Sequence, residues 1–179
     1  LTTVVTNRNA RHLGQLPDLA LWLGNVSGVG LDLFRPLGRG AEQSLAPKEG
    51  ELVQGLSELT EKAAEIRAAG IPFRLRELER LKKRMACETC SGIYCYAQTE
   101  QSICMDAEGN CWPCSSLAGN RAFYLGNIQD GLPKKQTCRQ MLSAPEVCKN
   151  CPSFHLCVGG CPANRSSLGG MPDKLTCAM

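Results

Sequence analysis

The chain has no cysteine before Cys87, and all twelve of its cysteines lie from there to the end. That absence excludes a thiol-based centre built from the first part alone. A strong charge bias is also missing. The net charge is only +3, with Lys and Arg scattered, so no electrostatic footprint for nucleic acid is visible. No apolar run is long enough to span a bilayer. Residues Leu1 to Asn7 show no basic region followed by an apolar core, so they do not read as a secretion signal. These absences predict a cytoplasmic protein without nucleic-acid or membrane partners. The chain also lacks a start methionine and opens in a strand-like run, which predicts a fragment of a longer protein.

What is present is concentrated cysteine. Cys148, Cys151, Cys157 and Cys161 follow C-x2-C-x5-C-x3-C spacing, and Cys177 comes after fifteen further residues. A tetrahedral zinc or a four-iron cluster takes at most four protein ligands. If all five thiols are ligands, at least one serves a second centre. Three chemistries compete. Structural disulfides fit an even cysteine count, but C-x2-C pairs are more often metal or cluster spacing. Structural zinc and iron–sulfur clusters use the same four-thiolate logic, and spacing leaves the two level.

The first part has its own rhythm. Thr3-Val4-Val5 reads as a short strand ending at Asn7. Leu13, Leu16, Ala20 and Leu23 fall at helical spacing, with Pro17 confined to a first turn or a break. Val29 to Phe34 reads as a second strand ending in the turn-rich Arg35-Pro36-Leu37-Gly38-Arg39-Gly40. Leu52, Leu56, Leu59, Ala63 and Ile66 mark one face of a long helix, stopped by Gly70 and Pro72. Ile71 to Leu75 reads as a third strand. The order β-α-β-α-β implies parallel strands with crossover helices, and three strands are too few for a closed barrel. Asp32 and Arg35 lie near a strand end, where they could line a barrel mouth, and one surface ion pair would explain them equally well. His12 reads as a solvated helix residue.

The second part opens near Met85. Cys87, Cys90 and Cys95 form a first cysteine group. Asp106 to Asn110 is a turn between two short strands, so Cys104 to Cys114 reads as a β-hairpin. Tyr124 to Ile128 is another extended run, turned by Gln129 to Gly131. A helical stretch is expected around Arg139 to Leu142. Trp112, Phe123 and Tyr124 read as core or cluster shielding, and His155 as a packing or hydrogen-bonding residue. Gly159 and Gly160 would let the backbone approach a cluster, with N–H groups available to its sulfurs.

Taken with Cys95, Gly109, Cys114 and the C-terminal cysteine run, the segments Glu108 to Cys114, Leu125 to Ile128 and Leu156 to Ala163 resemble the SPASM domain. This is the C-terminal extension of radical SAM enzymes that modify peptides and proteins. The resemblance implies a fold class of α/β. Residues 1–84 would be the β-α-β-α-β C-terminal portion of a radical SAM partial (β/α) barrel. Residues 85–179 would be a small cysteine-rich α+β SPASM domain with a β-hairpin. It moves iron–sulfur ahead of zinc and implies two auxiliary [4Fe-4S] clusters. The first would take Cys90, Cys95, Cys114 and Cys161, with Cys87 as the rival for one position. The second would take Cys148, Cys151, Cys157 and Cys177. Cys104 and Cys111 are expected to pack rather than ligate, and Cys138 to be a spare thiol. No catalytic residue is assigned.

Two departures from the family pattern shape the expected function. The radical SAM cluster is held by a C-x3-C-x2-C motif near the barrel start, and none occurs before Cys87. This chain alone is therefore expected to be inactive, with S-adenosylmethionine and a third [4Fe-4S] cluster belonging to a longer parent enzyme. Second, sulfatase-maturing members carry an acidic residue directly after the cysteine matching Cys114, where this chain has Ser115. A serine hydroxyl cannot serve as that general base at neutral pH. The resemblance thus implies an oxidoreductase that modifies a ribosomally made peptide or protein by radical hydrogen abstraction, with the auxiliary clusters carrying electrons. The partners it implies are the peptide substrate, an electron donor such as a ferredoxin or flavodoxin, and the missing N-terminal radical SAM portion. The alternative of another class is a non-catalytic iron–sulfur carrier or a zinc-stabilised interaction module. Within the class, sulfatase maturation is disfavoured by Ser115.

Overall fold

The computed structural model describes residues 1–40, 44–86, 93–99, 101–131 and 142–178. Two compact units result. One is formed by Leu1–Glu88 together with Lys174–Met179, the other by Thr89–Asp173.

The first unit is a mixed α/β layer. Three strands, β1 (Thr2–Val5), β2 (Gly28–Leu33) and β3 (Arg74–Leu75), form a parallel sheet in that order. Two helices, α1 (Leu16–Trp22) and α2 (Glu49–Ala68), belong to the connections that parallel pairing requires. Pro17 sits in the first turn of α1, where its missing N–H costs no intrahelical bond. Alternation along the strands sends Val5, Val29 and Leu31 into a core with Leu13, Leu52, Leu59, Ala63 and Ile66. Gly55 is needed where α2 crosses the chain at Ala10, because a Cβ there would collide with the Ala10 carbonyl. Helix α2 ends in a Schellman arrangement. Gly70, at φ 80°, donates to Arg67 O, and the Ile71 N–H donates to Ile66 O.

The third strand is shorter than the expected Ile71 to Leu75. Pro72 has no N–H to give to a ladder, and pairing begins only where the Arg74 N–H donates to Ser27 O at 2.9 Å. The chain then turns at once into α3 (Arg76–Met85), a helix that sequence reading did not anticipate. Its side chains replace the ladder that β3 fails to continue. Glu77 Oε1 accepts from the Leu31 N–H at 3.1 Å, and Arg76 Nη2 donates to the Leu31 carbonyl. Asp32 pairs with Arg76 at 3.0 Å. Gly30 leaves room for this, since a Cβ would lie 2.9 Å from the Arg76 guanidinium carbon. Acidic residues at the start of α3 and basic ones at its end oppose the helix dipole and stabilise an otherwise polar helix. Among the described residues no helix is long and apolar enough to cross a membrane.

The second unit is built on a three-stranded antiparallel sheet. Strands β4 (Cys104–Met105) and β5 (Asn110–Trp112) form the expected hairpin, and β6 (Gly126–Asn127) pairs with β5. The hairpin turn is fastened by Asp106, whose carboxylate accepts from the Asn110 and Glu108 N–H groups and from the Asn110 side-chain amide. Trp112 stacks edge-on against Tyr124 with ring centroids 5.8 Å apart, and its indole N–H donates to Asn120 O. Three short helices follow: α4 (Glu146–Lys149), α5 (Phe154–Cys157) and α6 (Pro162–Ser167). A last helix, α7 (Lys174–Ala178), packs on α2 in the first unit, with Leu175 against its core. The helical stretch expected around Arg139 to Leu142 lies outside the described residues except for Leu142, which is buried in a turn.

Candidate metal centre

Thiols from distant parts of the second unit meet around its small core. Cys95 precedes the 3-10 turn Tyr96–Thr99, Cys114 ends the segment after β5, and Cys161 caps α6. All three are half-buried and pack with Phe123 and Leu125 against Ala97, Leu117, Leu142 and Ala163. Burial pushes the Cys114 thiol up. The Ser116 and Leu117 N–H groups oppose that shift, and Cys161 and Cys95 add to it. The Cys95 loop is held by Gln98, a buried amide whose Oε1 accepts from the Tyr94 N–H at 2.7 Å and whose Nε2 donates to Leu142 O at 2.8 Å.

A second group forms from Cys148 on α4, Cys151 just after it, and Cys157 at the end of α5. Cys148 is buried and its thiol is likewise raised, first by burial and then by Cys157 and Cys151, with Arg165 acting against them. A raised thiol is a poor ligand until a metal displaces its proton. Cys95, Cys104, Cys111, Cys114, Cys148, Cys151, Cys157 and Cys161 all carry free thiols rather than disulfides. Cys111 is fully buried in β5 with its thiol against Gly109 O, and Cys104 sits on β4 opposite Trp112. Cys177 lies on α7, exposed, in the segment that groups with the first unit. Cys87, Cys90 and Cys138 fall outside the described residues.

The two groups are joined by a tight left-handed turn. Val158, Gly159 and Gly160 have φ of 52°, 77° and 69°, so the chain reverses between Cys157 and Cys161 within three residues. The Gly159 N–H reaches Cys157 Sγ at 3.4 Å. A Cβ on Gly159 would lie 2.8 Å from the Ala144 Cβ, so the position excludes a side chain by both conformation and space.

Among the described residues, no three His, Cys, Asp or Glu side chains are close enough to hold a single metal ion. A tetrahedral zinc sets its thiolates about 3.8 Å apart, from Zn–S bonds of ~2.3 Å. A cuboidal iron–sulfur cluster holds its thiolates further apart, because each binds a different iron. His155 takes no part here; its Nδ1 lies 2.9 Å from Pro152 O.

Sequence reading missed Arg165 and Gln98. Arg165 is 4% exposed and Gln98 5%, and each ties separate loops together through backbone carbonyls or amides. The available signal was position: Gln98 stands three residues after Cys95, and Arg165 four residues after Cys161 in a run of otherwise small residues.

No protein-family model matches the chain. No curated protein matches it by sequence. Solved structures do match. Native anSMEcpe with bound AdoMet has a TM-score of 0.70 at 22% identity over 93% of this chain and 47% of that one. Native anSMEcpe with bound AdoMet and Cp18Cys peptide gives a TM-score of 0.67 at 22% identity, over 93% and 48% respectively. The Kp18Cys peptide complex gives 0.66 at 21%, over 92% and 48%. These neighbours are anaerobic sulfatase-maturating radical SAM enzymes with a SPASM domain. The chain spans about half the length of each, and it shares the fold of that portion.

Proposed function

We propose that the chain is the auxiliary iron–sulfur portion of a radical SAM maturase that modifies a ribosomally made peptide or protein. The observation that carries this reading is the gathering of two groups of thiols in one small unit, joined through the turn between Cys157 and Cys161. Likeness in fold to radical SAM maturases supports it, as does the peptide bound in two of those structures. The proposed ligands are Cys90, Cys95, Cys114 and Cys161 for the first [4Fe-4S] cluster. For the second they are Cys148, Cys151, Cys157 and, on sequence grounds alone, Cys177. Bound there, the clusters supply one-electron transfer. The chain's own contribution is to hold the thiolates, to shield them with Phe123 and Leu125, and to present N–H groups to sulfur at Cys114 and Cys157. A radical SAM portion with its own cluster and S-adenosylmethionine, a peptide substrate and a low-potential electron donor complete the proposed enzyme.

Ser115 is exposed at the start of the turn after Cys114 and offers only a hydroxyl, which supports peptide modification over sulfatase maturation. The testing experiment is iron, acid-labile sulfide and zinc per chain on anaerobically purified protein. About eight irons with matching sulfide are expected for two four-iron clusters. Roughly two zincs without sulfide would leave a structural module and sink the redox reading.

A further inference from the structure

We infer that Arg165 is a counter-charge shared by both cysteine groups, a positioning residue that fixes the loops carrying them and offsets their negative charge when the thiolates bind iron. The inference rests on the iron–sulfur reading above. Arg165 lies on α6, one turn beyond Cys161, and its guanidinium is buried. Nη1 donates to Gly159 O at 2.5 Å and to Gly160 O at 2.9 Å. Nη2 donates to Leu142 O at 3.1 Å and to Ser143 O at 2.9 Å. Gly159 and Gly160 belong to the turn between Cys157 and Cys161, and Leu142 O also accepts from Gln98, which holds the Cys95 loop. One side chain therefore braces the supports of both groups.

Charge makes the position more telling. All four acceptors are neutral carbonyls, which solvate a guanidinium without neutralising it. A buried cation with no opposite charge is costly. Among the described residues, the charged groups acting on Arg165 are Cys148, Cys161, Cys95 and Cys157, two from each group. Burial lowers the basicity of the guanidinium. The Gly159 and Gly160 carbonyls that it holds lie in the turn between Cys157 of one group and Cys161 of the other, so the fixed cation stands beside a proposed ligand of each cluster. A four-iron core with four thiolates is net negative and gains further negative charge when it takes one electron from an external reductant. A fixed cation beside both groups therefore favours reduction of both.

The test compares wild type with R165K, R165Q and R165M, each reconstituted anaerobically with iron and sulfide. Iron and sulfide are counted, and midpoint potentials are read by dithionite titration followed by EPR. Expected is that R165K loads both clusters at wild-type potentials, while R165Q and R165M shift both potentials to more negative values. If the two neutral variants fail to load, R165K decides: two clusters at wild-type potentials support the shared charge, and loss or displacement of either one overturns it. Neutral variants that keep both potentials, a shift confined to one cluster, or R165K behaving like R165Q each overturn the inference while leaving the cluster reading intact. Wild type that takes up no iron and sulfide overturns both.

Discussion

Replacing Gly159 with Ala isolates the turn that joins the two cysteine groups. At φ 77° an L residue meets the left-handed penalty, about 1–2 kcal/mol. The new Cβ would also lie 2.8 Å from the Ala144 Cβ and 3.5 Å from Arg165 Nη1. The neighbouring methyl must move by several tenths of an ångström, and overpacking of this kind costs about 1 kcal/mol or more. The expected destabilisation of the cluster-free protein is therefore about 2–3 kcal/mol, read as a shift of the urea midpoint at constant slope. A companion G159A/A144G variant removes the methyl contact and leaves the backbone penalty. It should recover part of the loss attributed to the contact and no more. The same Cβ displaces the N–H that reaches Cys157 Sγ, so G159A should also retain less iron after desalting than wild type. G159A with unchanged stability and unchanged iron would refute the reasoning that this turn requires glycine for both its conformation and its closeness to Ala144.

Two further outcomes are expected. Cys157→Ala should lose about four irons per chain, whereas Cys104→Ala, on the hairpin strand opposite Trp112, should keep its full iron complement; equal losses would remove Cys157 from the ligand set. Asp106 is held below the usual carboxylate range, chiefly by the Asn110 side-chain amide, with Asn110, Glu108 and Gly109 backbone groups assisting. A depressed folded-state value means that the contribution is present above the unfolded value and is lost as pH falls through the folded one. Amide exchange at Asn110 should accordingly be faster in D106N than in wild type at neutral pH. The difference should fade below the ordinary carboxylate range of about 4, and a difference independent of pH would contradict the assignment.

Much of the local structure was legible because short-range chemistry decides it. The β-branched run at Thr3 to Val5, the apolar face from Leu52 to Ile66, the Gly70 stop and the Asp106 to Asn110 turn each carry their own signal, and each is found where it was read. The helix from Arg76 was missed although Leu78, Leu81 and Met85 stand at helical spacing; none of its residues is fully buried, and only Leu78 packs against the core, so its apolar signal is short among many charges. Arg76 and Glu77 instead tie its start to Leu31, some 45 positions earlier in the chain. The candidate centre divides in the same way. Cysteine spacing pointed to a second centre only on the condition that all five C-terminal thiols are ligands, since one centre accepts four at most. Tertiary structure decided which thiols gather. It brought Cys95, Cys114 and Cys161 to one apolar core across more than sixty residues of chain, and it buried Arg165 against carbonyls from two loops. Spacing specifies a ligand count through the chemistry of each thiol. Convergence and the burial of a cation depend on packing between segments far apart in sequence, which no local pattern encodes.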